Sequence, residues 1–153
     1  MADEFSAPPH EKQRSLRDTA WRMSEQNVEI VRRIFSEFEQ GNFWVPEFFD
    51  PNVRMGWLDA VVGKKETIGL EELSAQLTNW LKEYEHLTLT AERIVDAGEQ
   101  VVVIAAWRGR GRVSGVPTEW RHGEVWNLRQ GKVTSMIPYA EPSAALEAAG
   151  VAE

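Results

Sequence analysis

The chain has 153 residues, 17 basic and 24 acidic side chains, a formal net charge of −7 and no cysteine. This length fits one domain, and a domain of this size buries roughly 68–70% of its unfolded surface, enough for a core without disulfide staples. The composition excludes disulfides and cysteine–zinc sites, no apolar run approaches the ~20 residues of a membrane-spanning helix, and the acidic balance argues against nucleic acid as a partner.

Residues 1–22 read as a disordered N-terminal tail, with the domain proper at 23–153. The tail carries adjacent prolines at Pro8 and Pro9, dense charge of both signs and little apolar periodicity. It has no apolar stretch of the secretory type, and localisation is read as cytoplasmic on that ground. From Ser24, a good N-cap, Val28, Val31, Phe35 and Phe38 recur at helical steps up to a stop at Gly41–Asn42. A short helix is expected over 43–49, ending before Asp50–Pro51. Val53, Met55 and Trp57 then alternate as a half-buried strand, with Asp59 at the same parity beyond them. A third helix over 69–84 aligns Leu70, Leu73, Leu77, Trp80, Leu81 and Tyr84 on one stripe.

After Tyr84 the apolar period changes to two. Strands are expected at 86–95, 100–112, 116–128 and 132–140, joined by short Gly-containing turns into an antiparallel meander. A last helical turn runs from Ser143 to Ala149 and stops at Gly150. Helices followed by strands give an α+β order, and a curved, mostly antiparallel sheet wrapped round the N-terminal helices makes a cone with an interior hollow.

The strand over 116–128 alternates most cleanly. Thr118, Trp120, His122, Glu124, Trp126 and Leu128 share one face, and the three charges Glu119, Arg121 and Arg129 fall on the other. The first face is expected inside, which places His122 and Glu124 together on the buried side. A two-residue Ser114–Gly115 turn would oppose Trp107 to His122 and Ala105 to Glu124, and set Arg110 against Glu119 outside. A three-residue loop would instead turn Arg108 inward opposite Trp120. For the last hairpin, a three-residue loop with a bulge at Gly131 would oppose Met136 to Glu124 and Pro138 to His122; the alternative register brings Tyr139 inward.

Glu124 is the sharpest candidate for chemistry. A carboxyl facing Trp107, Trp126 and Met136 is poorly solvated, which suits it to carry a proton near neutrality, with His122 as its partner. The competing reading is a buried carboxyl bonded for structural reasons, and a histidine on an apolar face is more often core than catalyst. Trp57, Trp107, Trp120, Trp126 and Met136 are candidate pocket residues for a small hydrophobic molecule, and Asp59 a candidate second carboxylate at the mouth. No cofactor is called for, and no histidine spacing suits a metal. Arg108, Arg110 and Arg112 share a face and read as a solvated strand surface rather than an RNA site. Val102, Ile104, Val125 and Ile137 form an apolar patch on the outer sheet face, expected to pair two copies in a homodimer.

The runs NVEIVRRIFSEFEQGNF, FFDPNVRMGW, GEVWNLRQGKVTSM and PSAALEAAG, in this order between Ser24 and Gly150, resemble the SnoaL-like branch of the nuclear transport factor 2-like superfamily. The resemblance implies a cystatin-like α+β cone with a deep pocket, commonly dimeric. Relatives include polyketide cyclases, steroid isomerases, epoxide hydrolases, dehydratases and proteins without known activity, so the fold does not choose the reaction. By the same resemblance, the steroid isomerase base falls near Met55 or Trp57, its oxyanion tyrosine near Phe35 or Phe38, and the epoxide hydrolase aspartate near Pro138. None of these residues can take the corresponding part. What is implied is a cofactor-free isomerase, cyclase or dehydratase resting on Glu124 and His122, or else a carrier, sensor or interaction domain.

Overall fold

The computed structural model describes residues 9–58 and 65–151. Helix α1 (Pro9–Glu39) leads through a 3-10 turn (Pro46–Phe48) into β1 (Phe49–Gly56), followed by β2 (Glu66–Ile68), α2 (Leu70–Glu83), β3 (Tyr84–Ala97), β4 (Gln100–Gly111), β5 (Pro117–Arg129), β6 (Lys132–Tyr139) and α3 (Pro142–Ala148). The strands form one six-stranded sheet in the order β2-β1-β6-β5-β4-β3. All neighbours are antiparallel except β1 and β6, because β1 arrives from the helical half and inserts beside the last strand. The α+β cone read from the sequence is the architecture found.

Several local expectations are corrected. The helix opens at Pro9, so residues 9–22, expected to lie in a tail, are its first turns. Ser24 sits inside it, buried, and its hydroxyl donates to the Asp96 carboxylate at the end of β3 instead of capping the helix. The expected 43–49 helix is the single turn Pro46–Phe48, since Pro46 lacks a backbone N–H and the chain must straighten into β1. Strand β2 was not anticipated; three residues are too few to show a period.

The sheet registers differ from both alternatives considered. Trp107 pairs with Trp120, Ala105 with His122, Val103 with Glu124 and Arg108 with Glu119, a displacement of two residues from the two-residue-turn register. The ladder stops at Arg110–Pro117 and a longer loop closes it, with Gly111 N–H donating to the Val116 carbonyl. The last hairpin is tighter than expected. Arg129 pairs with Lys132, Gln130 and Gly131 both take positive φ (51° and 78°), and the bulge moves to Asn127–Leu128. Positive φ at both central residues is the type I′ geometry of a two-residue hairpin. Met136 therefore opposes Trp126 and Pro138 opposes Glu124, while Tyr139 stays outside against Gly123. Both displacements are even, so every side chain keeps its expected face.

The main core lies between α1 and the sheet's inner face, around Val31, Ile34, Phe35, Val101, Val103 and Trp126. A second, smaller core corrects the outer-face expectation. Helix α3 folds back across the sheet and buries Val102, Ile104 and Val125 beneath Ala145 and Leu146. Of the patch read as a dimer surface, Ile137 alone stays exposed. Elsewhere on the outer face Arg108 pairs with Glu119 at 3.0 Å and Arg121 with Glu92 at 2.6 Å, while Arg112 donates to the carbonyls of Lys82 and Tyr84.

Candidate active site

The inner face of β5 presents Trp120, His122, Glu124 and Trp126 in succession, as its alternation demands. His122 and Glu124 are each only 5% exposed. His122 Nε2 lies 2.8 Å from Glu124 Oε2, and Trp126 Nε1–H donates to Glu124 Oε1 at 3.0 Å. An indole N–H can only donate, so Oε1 is an acceptor and any proton shared within the pair lies on the Oε2–Nε2 line.

The second imidazole nitrogen bears on where that proton sits. His122 Nδ1 is buried and has no hydrogen-bond partner. An orphaned buried N–H is rarer and costlier than an unpartnered acceptor. A proton on Nε2, donating to Oε2, spares that orphan, whereas a proton on Oε2 with the ring protonated at Nδ1 spares the buried pair a net charge. In both arrangements Oε1 accepts from Trp126 and keeps a lone pair for a further donor.

Glu124 and His122 form part of the wall of a cavity of about 120 Å³ beneath the sheet. Trp57, Trp107, Trp120, Trp126 and Met136 line it. Asp59 lies outside the described residues. At the mouth are Trp44 and Leu58, 38% and 40% exposed, which is high for large apolar side chains.

Aromatic contacts form a continuous belt along this space. Starting at Trp126, ring centroids follow one another through Phe35 (5.8 Å), Phe38 (5.2 Å), Phe43 (5.7 Å), Trp80 (6.1 Å), Trp107 (6.1 Å) and Trp120 (5.6 Å). Most meet edge to face, the arrangement their quadrupoles prefer. The belt begins and ends on β5, at the residues flanking the His–Glu pair. Trp57 joins it through Trp80 at 6.1 Å and anchors its own N–H on buried Thr67 at 3.3 Å. The sequence analysis puts Trp80 and Leu77 on the apolar stripe of the 69–84 helix and Phe38 on that of the first helix without naming them as pocket walls, and nothing local marks Phe43 as one.

The sequence profile of the SnoaL-like domain matches residues 31–136, most of the chain. The chain belongs to the SnoaL-like family. No curated protein sequence matches it. Among solved structures it is similar to an NTF2-like protein of unknown function from Burkholderia pseudomallei, with 19% identity, a TM-score of 0.67, and 80% of this chain and 95% of that one covered. A Jannaschia protein described as a putative SnoaL-like polyketide cyclase aligns at 22% identity and TM-score 0.64, covering 84% and 94%. A protein of ketosteroid isomerase-like fold from Catenulispora acidiphila, solved in complex with trimethylamine, aligns at 19% and 0.61, covering 81% and 94%. At these identities the likeness carries the cone fold and leaves the chemistry to the residues.

Within this SnoaL-like cone, the positions where characterised relatives are expected to hold their acids and tyrosines are apolar. Met55, Trp57, Phe38 and Pro138 all line the cavity, and Phe35 packs behind it. Pro138 stands directly across from Glu124 on the neighbouring strand. The ionisable groups of the described cavity wall are thus His122 and Glu124, with no lysine or arginine beside them. Among the described residues no group of three or more His, Cys, Asp or Glu side chains could hold a metal ion, and no helix is long and apolar enough to cross a membrane.

Proposed function

We propose that the chain is a cofactor-free enzyme that takes a small hydrophobic carbonyl or hydroxyl compound into the cone and moves a proton on it. Glu124 is the proton carrier, and His122 holds and orients its carboxylate. The observation that carries this reading is the buried 2.8 Å His122–Glu124 bond on the wall of an otherwise apolar cavity. A purely structural core gains nothing from a buried carboxylate and an unpartnered ring nitrogen, each of which costs stability. Groups placed against the stability optimum in a cleft are the usual mark of a functional site. The cavity is close in size to an engineered cavity of about 150 Å³ that admits benzene, which sets the scale of the guest. Trimethylamine, found with the C. acidiphila neighbour, is a compact molecule of that scale.

The geometry supports one kind of reaction. A carboxylate with lone pairs toward the cavity withdraws a proton from carbon beside a carbonyl, or from a hydroxyl, and returns it at another atom. Purified protein incubated in deuterium oxide with a panel of small hydrophobic ketones and hydroxyketones is expected to speed exchange beside the carbonyl of at least one member. Glu124→Gln should lower that rate by roughly 10²–10⁴-fold, the usual share of a general base. Exchange unchanged in both Glu124→Gln and His122→Ala would overturn the assignment. Tight retention of a panel member in native mass spectrometry, with no exchange, would support a carrier or sensor instead.

A further inference from the structure

We infer that the first half of α1 is a docking arm, and that its occupant is a second copy of this chain, whose own α1 lies antiparallel along it.

Burial defines the arm. Helix α1 enters the core from Ser24 onward, through Asn27, Val31, Ile34, Phe35 and Phe38. Thr19, Ala20, Trp21, Arg22 and Met23, more than one full turn, are all exposed. Five consecutive helical residues point to every side of the axis, so no side of this turn is covered by the body. Two of them are large and apolar: Trp21 is 61% and Met23 54% exposed. The stretch from Pro9 to Met23 is roughly half of the 31-residue helix. A helical stretch of about 15 residues is marginal in water without packing, so the arm calls for a partner.

The charge pattern identifies that partner. Residues 9–23 carry the bases Lys12, Arg14, Arg17 and Arg22 against the acids Glu11 and Asp18. Residues 24–39 carry the acids Glu25, Glu29, Glu37 and Glu39 against the bases Arg32 and Arg33. The helix is thus basic in its first half and acidic in its second, by equal amounts. Two copies laid antiparallel put each basic arm on the acidic half of the other, an isologous contact closed by a two-fold axis. In the register that sets position 22 against 29, positions 12 and 14 fall opposite 39 and 37, and position 18 opposite 33. Within the helix, every charged position that meets a charge in this register meets the opposite sign.

The surface this pairing needs is open. Glu25, Glu29, Arg32, Arg33 and Ser36 are exposed on the side of α1 turned away from its buried stripe. Trp21 shares that outward side, so the pairing covers it. Each sheet packs on the inner side of its own helix, so the two bodies lie on opposite sides of the helix pair. Glu29 already holds Arg32 at 3.1 Å and Arg33 at 3.5 Å. Exposed pairs of this kind are worth little, so exchanging them for pairs across the axis costs little.

Sedimentation velocity on the full chain tests the arm. Wild type is expected to dimerise, with a dissociation constant that rises with ionic strength as screening weakens exposed charges. Trp21→Ala and Arg22→Glu should each raise that constant at least about tenfold. Combining Arg22→Glu with Glu29→Arg should recover most of the loss, which a folding defect would not allow. A chain that stays monomeric at every concentration would overturn the inference. So would a dimer indifferent to Trp21→Ala and Arg22→Glu, or a charge swap that restores nothing, since either puts the contact elsewhere. A basic helix bearing a tryptophan also suits an anionic bilayer. A monomer that co-sediments with phosphatidylserine vesicles would give the arm to a membrane surface and overturn the second copy as its occupant.

Discussion

Glu124 is held by two partners of different kinds, and the difference predicts how substitutions behave. Trp126 can only donate, and His122 can act either way depending on its tautomer. Glutamine at this position keeps the Oε1 acceptor for Trp126 and offers an amide N–H to His122, which shifts its own proton to Nδ1. The Nδ1–H so formed has no partner, so Glu124→Gln should fold with a stability loss of about 1–3 kcal/mol, the cost of one buried orphan. Glu124→Leu strands the indole N–H and the imidazole together. Each buried orphan costs about 1–3 kcal/mol, so this variant should lose clearly more than Glu124→Gln in urea denaturation. If the leucine variant were instead as stable as wild type, the apolar wall would be tolerating unpaired donors, and the polar triad would have no structural share. His122→Ala, tested alongside, separates loss of the partner from loss of the charge.

At the scale of elements, what the sequence could and could not say divides along one line. Period gives faces. The alternation of β5 was enough to put His122 and Glu124 on one inner face, and that placement survived two register displacements because both were even. Distance along the chain gives no partner. Nothing local to residues 111–116 announces a loop closed by Gly111 and Val116 instead of a two-residue turn, so the pairing of Trp107 with Trp120 was out of reach. Nothing in Ala144, Ala145 and Leu146 says that this short amphipathic turn lands on Val102, Ile104 and Val125, so a covered face read as an open one. Trp80 was legible as inward, yet a residue facing a packed core and one facing a hollow carry the same sequence signal. Gly123 supplies a check on the covered face. It sits under α3, and a Cβ there would come within 2.5 Å of the Ala145 Cβ and 3.2 Å of the Pro142 backbone. Gly123→Ala must lift the helix or bend the strand, an overpacking that typically costs about 1–3 kcal/mol. For a domain of this size each kcal/mol lowers Tm by roughly 2–4 °C, so a calorimetric scan should show a clear drop. An unchanged Tm would mean that α3 is not docked on β5 in solution.

The whole molecule trades stability for its hollow. Residual cavity volume in a core costs about 24 cal/mol per Å³, so an empty space of about 120 Å³ forgoes up to about 3 kcal/mol. Against a typical total of about 5–15 kcal/mol, that is a large sum to leave unclaimed unless the space is used. The sheet keeps it open by curving: β1 and β6 carry Met55, Met136 and Pro138 round one side, β4 and β5 carry Trp107 and Trp120 round the other, and α2 closes it with Leu73, Leu77 and Trp80. Leu77 is the place to fill the space without touching the His–Glu pair. It is buried on α2 and faces the cavity, away from β5 in sequence and chemistry. Leu77→Phe extends a ring into the hollow. Thermal denaturation should find the variant as stable as wild type or more so, since the added carbons regain contacts that the cavity forfeits. Retention of a ketone-panel member should fall at least about tenfold in titration calorimetry, because a compact ligand and the new ring compete for one volume. A functional hollow predicts that stability and affinity move in opposite directions. A hollow that is merely imperfect packing predicts a stability gain with no binding to lose.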